Sequence, residues 1–313
     1  MFLPSQPRYL FARALLGVLV FGACAEVRAQ VAAAESIVVQ AEEVGSAYGA
    51  PASFSRARFA PLTTAYVLPP WAFSASTIYQ GSAFRHGLPD HLFTQEVELG
   101  LPHRFGVAAE TSFERFNGGG NISAISLEAR YALADWNKIP LNPTLFAEYK
   151  FGVGQIRHEE GPPPPPGEEA EGGAKRPDAY EFRLLLAQDF GERVEWAFNT
   201  FFEKENTGDR GREWGFAQSI ATPLLRNERL KAGVEMKYTN FTVKDTRGDP
   251  LHRFVIGPTI AWKPSRTTRL DVSPLFGVTD DAARAEIFVV FSMLFGPGPE
   301  SGEAEGPASM RNR

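Results

Sequence analysis

Arg193-Val194-Glu195-Trp196-Ala197-Phe198-Asn199-Thr200-Phe201-Phe202-Glu203-Lys204-Glu205 decides the fold class. Val194, Trp196, Phe198, Thr200 and Phe202 fall on one side, and Glu195, Ala197, Asn199 and Glu203 on the other. A period of two places successive side chains on opposite faces, which is a strand and not a helix. One face is aromatic and the other is charged or small. A soluble sheet buries its apolar face against a second layer. A strand that crosses a bilayer turns that face to lipid and its polar face to a lumen.

The same alternation recurs outward from this stretch. Tyr180, Phe182, Leu184, Leu186 and Phe190 are opposed by Glu181, Arg183 and Asp189. Leu230, Ala232, Val234, Met236 and Tyr238 are opposed by Lys231, Glu235 and Lys237. Ile287, Val289, Phe291, Met293 and Phe295 close the series. The pattern predicts twelve strands, near 72–81, 91–101, 104–115, 121–132, 143–153, 179–190, 193–204, 212–221, 230–241, 251–262, 268–278 and 285–295. Most have about the 9–11 residues that a tilted strand needs to span hydrocarbon. The expected architecture is all-β, a transmembrane antiparallel up-and-down barrel of about twelve strands. An even count puts both barrel ends on one side, with short turns there and longer loops opposite. Pro102-His103 and Gly191-Glu192 read as tight turns, and 154–178, with its Pro162–Pro166 run among glutamates, reads as the longest loop. Pro258 and Pro274 oppose the assignment, because proline removes a ladder donor. The alternative is a soluble sandwich, whose strands are shorter and whose apolar faces share one interior.

The rest of the composition is consistent with an exported barrel. The chain has 313 residues, 25 Phe, a single Cys and a net charge of -5, which gives no footing for nucleic acid. Arg8 and Arg13, the apolar run Ala14–Ala23 and Val27-Arg28-Ala29 read as a signal peptide over 1–29. Residues 30–70 read as a periplasmic lead-in, largely irregular, and end at Pro69-Pro70. The barrel is expected over 71–296, and 297–313 is a Gly, Pro and Glu-rich tail. Trp71, Tyr79, Tyr131, Trp136, Tyr149, Tyr180, Trp214, Tyr238 and Trp262 fall near strand ends, as interfacial aromatic girdles do. Localisation in the cell outer membrane follows, with outer-membrane lipid, the assembly machinery and small solutes as partners.

If the aromatic faces meet lipid, the other faces line a lumen. They carry Glu96, Glu98, Arg104, Glu110, Glu128, Arg130, Glu148, Lys150, Glu181, Arg183, Glu195, Glu235, Lys237 and Arg253, joined by Glu114, Glu203 and Asp271. Interleaved signs suit either a pore lining or ion pairs that fill a small barrel. The expected function is a passive channel for small solutes. The alternatives are a closed structural or surface-interaction barrel, and a lipid-active enzyme. His86, His91 and His252 lie near loop-side strand ends, but no nucleophile accompanies them in a local motif. The spacing of His86 and His91 matches no compact metal-ligand pair, and no cofactor is expected.

Phe93-Thr94-Gln95-Glu96-Val97-Glu98-Leu99-Gly100-Leu101-Pro102-His103-Arg104-Phe105-Gly106-Val107 sets a Glu-bearing strand, a Gly-Leu-Pro turn and a second strand in sequence. With Ala134-Asp135-Trp136-Asn137-Lys138-Ile139-Pro140-Leu141-Asn142-Pro143-Thr144-Leu145 it resembles the uncharacterised outer-membrane proteins grouped as putative transporters of the phenol-degradation meta-pathway type. The resemblance spans 70–296. It implies a barrel and small-molecule passage, and it carries over no catalytic or substrate residues.

Overall fold

The computed structural model describes residues 47–50, 66–86, 89–116, 119–154, 176–191, 193–225 and 229–296. The expected leader, most of the lead-in, residues 155–175 of the proline-rich loop and the tail lie outside the described residues. Twelve strands are present: β1 Phe73–Ala83, β2 Asp90–Leu101, β3 Phe105–Phe116, β4 Gly119–Ala132, β5 Thr144–Gly152, β6 Ala179–Phe190, β7 Val194–Glu205, β8 Arg212–Pro223, β9 Leu230–Thr242, β10 Leu251–Trp262, β11 Thr268–Gly277 and β12 Ala285–Phe295. Each pairs antiparallel with its sequence neighbours, and β1 pairs with β12 from Phe73↔Phe295 to Ala83↔Ala285. The sheet is therefore a closed up-and-down barrel, and closure leaves no edge with unpaired backbone groups.

Side-chain alternation sets what faces where. Val97, Leu127, Phe182, Phe190, Val234 and Phe276 are all at least half exposed on the outer wall. In water this band would carry a large hydrophobic cost, whereas against hydrocarbon it carries none. Aromatic residues cluster toward both margins of the band. Tyr79, Tyr149, Tyr180, Trp214 and Tyr238 lie toward the loop end, and Trp71, Tyr131 and Trp262 at the turn end. The loop-end connections include 153–178 and 243–250, but the one between β3 and β4 is only 117–118.

Trp136 departs from the expected girdle. It belongs to the 133–143 connection between β4 and β5, which folds back under the barrel. Its ring packs on Ala187, Ala197, Ala217 and Ala221, the inward-facing small residues of β6, β7 and β8. Those alanines leave room that only a bulky inserted side chain fills. Asn142 holds the connection in place by donating from Nδ2 to the Ala187 carbonyl, 2.9 Å, while its Oδ1 accepts from the Asn137 amide.

The described part of the lead-in seats against the same end. Tyr66 and Val67 pack with Ala50, Ala132 and Trp136, and the Tyr66 and Trp136 rings meet edge-on at 5.2 Å. Leu68 and Ala72 bury Leu294, an inward residue of β12. The Tyr48 hydroxyl donates to the Leu101 carbonyl at 3.0 Å, and the Tyr66 hydroxyl donates to the Ala134 carbonyl. The lead-in backbone crosses β2 at Gly100, where a Cβ would stand 2.1 Å from the Pro69 carbonyl oxygen. Only a residue without a side-chain carbon permits that approach.

The two strand prolines explain each other. Ile256 pairs with Phe276 and Ile260 with Val272, a constant register that sets Pro258 directly across from Pro274. The Val278 amide bonds the Phe254 carbonyl at 2.8 Å, so every second pair from there, 258:274 included, is one where both amides would donate across the seam. Both donors are missing at the same point, and the ladder lapses only over 257–259. On their other sides Pro258 pairs with Val234 and Pro274 with Ile287.

Candidate functional site: a charged lumen

Inward parity places every expected lining residue except Arg104 on the inner wall, and their environment changes along the barrel axis. Toward the turn end the interior is full. Arg130 is 1% exposed and pairs with Glu98 at 2.8 Å, Glu128 at 2.7 Å and Glu96 at 3.8 Å. Lys231 meets Glu195 at 2.5 Å, and Arg269 meets Asp271 at 2.7 Å. Glu235 is fully buried on β9 opposite Ser219. Hydroxyl ladders Ser76···Ser292 at 3.0 Å and Thr259···Ser273 at 2.6 Å join the same layer. The cations this deep are tolerated because each lies against a carboxylate.

At mid-height the pairing continues around an aromatic plate. Phe146 lies between two guanidiniums, Arg183 at 4.7 Å and Arg130 at 5.5 Å from its centroid. Lys150 contacts Glu203 at 2.5 Å, Glu181 at 3.0 Å and Glu148 at 3.8 Å. Arg183 binds Glu181 and reaches Glu148 at 4.0 Å. Carboxylate oxygens of Glu96, Glu110 and Glu128 come within 4.8 Å of one another, a geometry that could hold a cation. The Arg130 guanidinium already rests on two of the three and supplies the positive charge there.

Above this level the lumen opens. A cavity of about 410 Å³ runs from Glu110, Ser126, Glu148 and Asn199 upward. It shares Gln80, Leu92, Glu114, Arg176, Glu213 and Lys237 with a second cavity of about 480 Å³ at the loop end. The two are one polar vestibule, and Lys237 and Arg253 stand in its wall.

Arg104 is the exception among the expected lining residues. It lies in the turn 102–104 between β2 and β3, not in a strand, because His103 and Arg104 take φ of 61° and 66° to reverse the chain. Its guanidinium sits at the turn end, with Nε on the Ala132 carbonyl at 3.1 Å and Nη1 on Asp135 at 3.3 Å. The Tyr131 hydroxyl beside it, then Asp135, hold its pKa above the ordinary arginine value. Burial, and then the nearby Asp135 carboxylate, push the Tyr66 hydroxyl up to about 12.

The rim histidines take a different arrangement from a hydrolase. The Tyr79 hydroxyl lies 2.9 Å from His91 Nδ1, and the Tyr238 hydroxyl 2.8 Å from His252 Nδ1. Each pair is stacked across neighbouring strands, and His91 also borders the loop-end cavity. The feature that sequence reasoning missed is the Trp136 and Tyr66 closure. Its signal was present in the inward alanines of three adjacent strands, which are too small to fill a barrel by themselves.

No protein-family model and no curated protein matches the chain. Solved structures do. The COG4313 outer membrane channel from Pseudomonas putida F1 matches at 12% identity over 74% of this chain and 97% of that chain, with a TM-score of 0.50. The NanC porin matches at 8% identity over 72% and 99%, with a TM-score of 0.45. The KdgM porin in complex with disordered oligogalacturonate matches at 10% identity over 72% and 99%, with a TM-score of 0.42. At such identities the likeness to the Pseudomonas putida channel shows the fold, that of outer-membrane barrels.

Proposed function

We propose that this chain is an outer-membrane channel for small solutes, wide toward the loops and constricted at the turn end. The observation that carries the reading is the continuous polar vestibule, about 480 and 410 Å³ in its two parts, that enters the barrel from the loop side. A chamber of this size admits metabolite-sized molecules. Below it, Trp136, Tyr66 and the buried ion pairs narrow the path. The expected leader over 1–29 supplies export, and the resemblance to the phenol-degradation transporter type agrees with small-molecule passage without naming phenol as the cargo.

The packed turn end also favours a second reading, a barrel closed for structural reasons. Swelling of proteoliposomes in isotonic solutes of graded size separates the two. Influx of small solutes with a sharp size cut-off supports the channel. Swelling no faster than that of protein-free vesicles, with the barrel inserted and folded, supports the closed barrel.

A further inference from the structure

We propose that the vestibule holds a binding subsite for small organic monoanions, in which a carboxylate bridges Lys237 and Arg253. The proposal rests on the channel reading of the same lumen and adds the class of cargo.

The inner wall treats its cations in two ways. Arg130, Lys150, Arg183, Lys231 and Arg269 each lie within ion-pair distance of a carboxylate. Lys237 and Arg253 have no such partner among the described residues. Each instead lies over a ring face, Lys237 Nζ at 5.5 Å from the centroid of Phe201 and the Arg253 guanidinium at 5.5 Å from Phe241. A ring face steadies a cation without neutralising it, and leaves its outer side for a ligand.

Register brings the two together. Lys237 pairs with Val255 and Arg253 with Thr239, so they are diagonal neighbours on β9 and β10. Diagonal positions on one face lie roughly 7–8 Å apart, within reach of one carboxylate for two long side chains. The guanidinium offers a two-donor fork, and the ammonium adds a point charge. Val255, Leu92 and Phe84 line the same chamber and would cover an apolar body attached to that carboxylate. The chamber as a whole is not basic. Asp90, Glu114, Glu213 and Glu286 match Arg115, Arg176, Lys237 and Arg253 in number. The preference for an anion therefore lies in the local pair, and it is testable by changing that pair alone.

Titration calorimetry of the refolded full chain in detergent, with benzoate, benzamide and benzylamine as probes, tests this. Benzoate is expected to bind at least tenfold more tightly than the other two. Lys237→Gln and Arg253→Gln are each expected to weaken benzoate about tenfold and to leave benzamide unchanged. Folding of each variant is checked by the gel shift between heated and unheated protein. Equal binding of benzoate and benzamide, or benzoate binding unmoved in both folded variants, would overturn the subsite. Because binding is read without transport, benzoate binding in a protein that passes no solute would sink the channel reading and keep the subsite. Solute flux without benzoate binding would do the reverse.

Discussion

At the scale of single residues, three positions decide whether the turn end stays closed. Arg130 is the first. Replacing it with Met leaves Glu96, Glu98 and Glu128 buried without their shared cation, which costs about 3–5 kcal/mol. A fall of that size in urea-unfolding stability, largely restored by adding Glu98→Gln and Glu128→Gln, is the expected outcome. An unchanged midpoint would show that the cluster is hydrated. Gly100 is the second, since the Pro69 and Leu68 carbonyl oxygens occupy the space of any side chain there. Gly100→Val should release the lead-in to added protease while the barrel remains resistant. Tyr66 is the third. Its pKa is raised from 10.0 to about 12, so between those values the folded chain keeps a proton that the unfolded chain has lost. The contribution of this group is whole below pH 10 and disappears as pH rises through about 12. Protease sensitivity of the lead-in should climb over that window, and Tyr66→Phe should remove the climb.

At the scale of strands, alternation made nearly everything legible. All twelve were readable because an outward aromatic face and an inward charged face mark a period of two unmistakably, as in β7. What alternation does not encode is where a strand stops. Arg104 continues the inward parity of β3 and so looked like lining, although the positive φ at His103 and Arg104 closes a turn there. The proline pair was equally illegible, because its meaning depends on register between β10 and β11, which no single strand records. Restoring both donors with Pro258→Val and Pro274→Val should add about 1–3 kcal/mol, from two hydrogen bonds at about 0.5–1.5 kcal/mol each. Each single substitution should give roughly half the rise in unfolding midpoint. No rise in the double variant would mean that the strands are splayed at that point for another reason.

At the scale of the whole molecule, the sequence offered the lining but not its division into two halves. Signs along the inner faces are interleaved throughout, and only closure of the barrel shows that Glu98, Glu128 and Arg130 meet in a packed layer while Lys237 and Arg253 face open space. Trp136 was misread for the same kind of reason. A tryptophan at a strand end suits a membrane interface, and its insertion depends on alanines about 50 to 85 residues later in the chain. The barrel lumen that results is wide toward the loops and narrowed at the turn end by Trp136 and Tyr66. Single-channel current through the wild-type protein and Trp136→Ala in planar bilayers tests that description most directly. Small, discrete steps are expected for the wild type and steps several-fold larger for the variant. Equal conductance in the two would contradict the narrowing, and silence in both, with insertion verified, would contradict the channel.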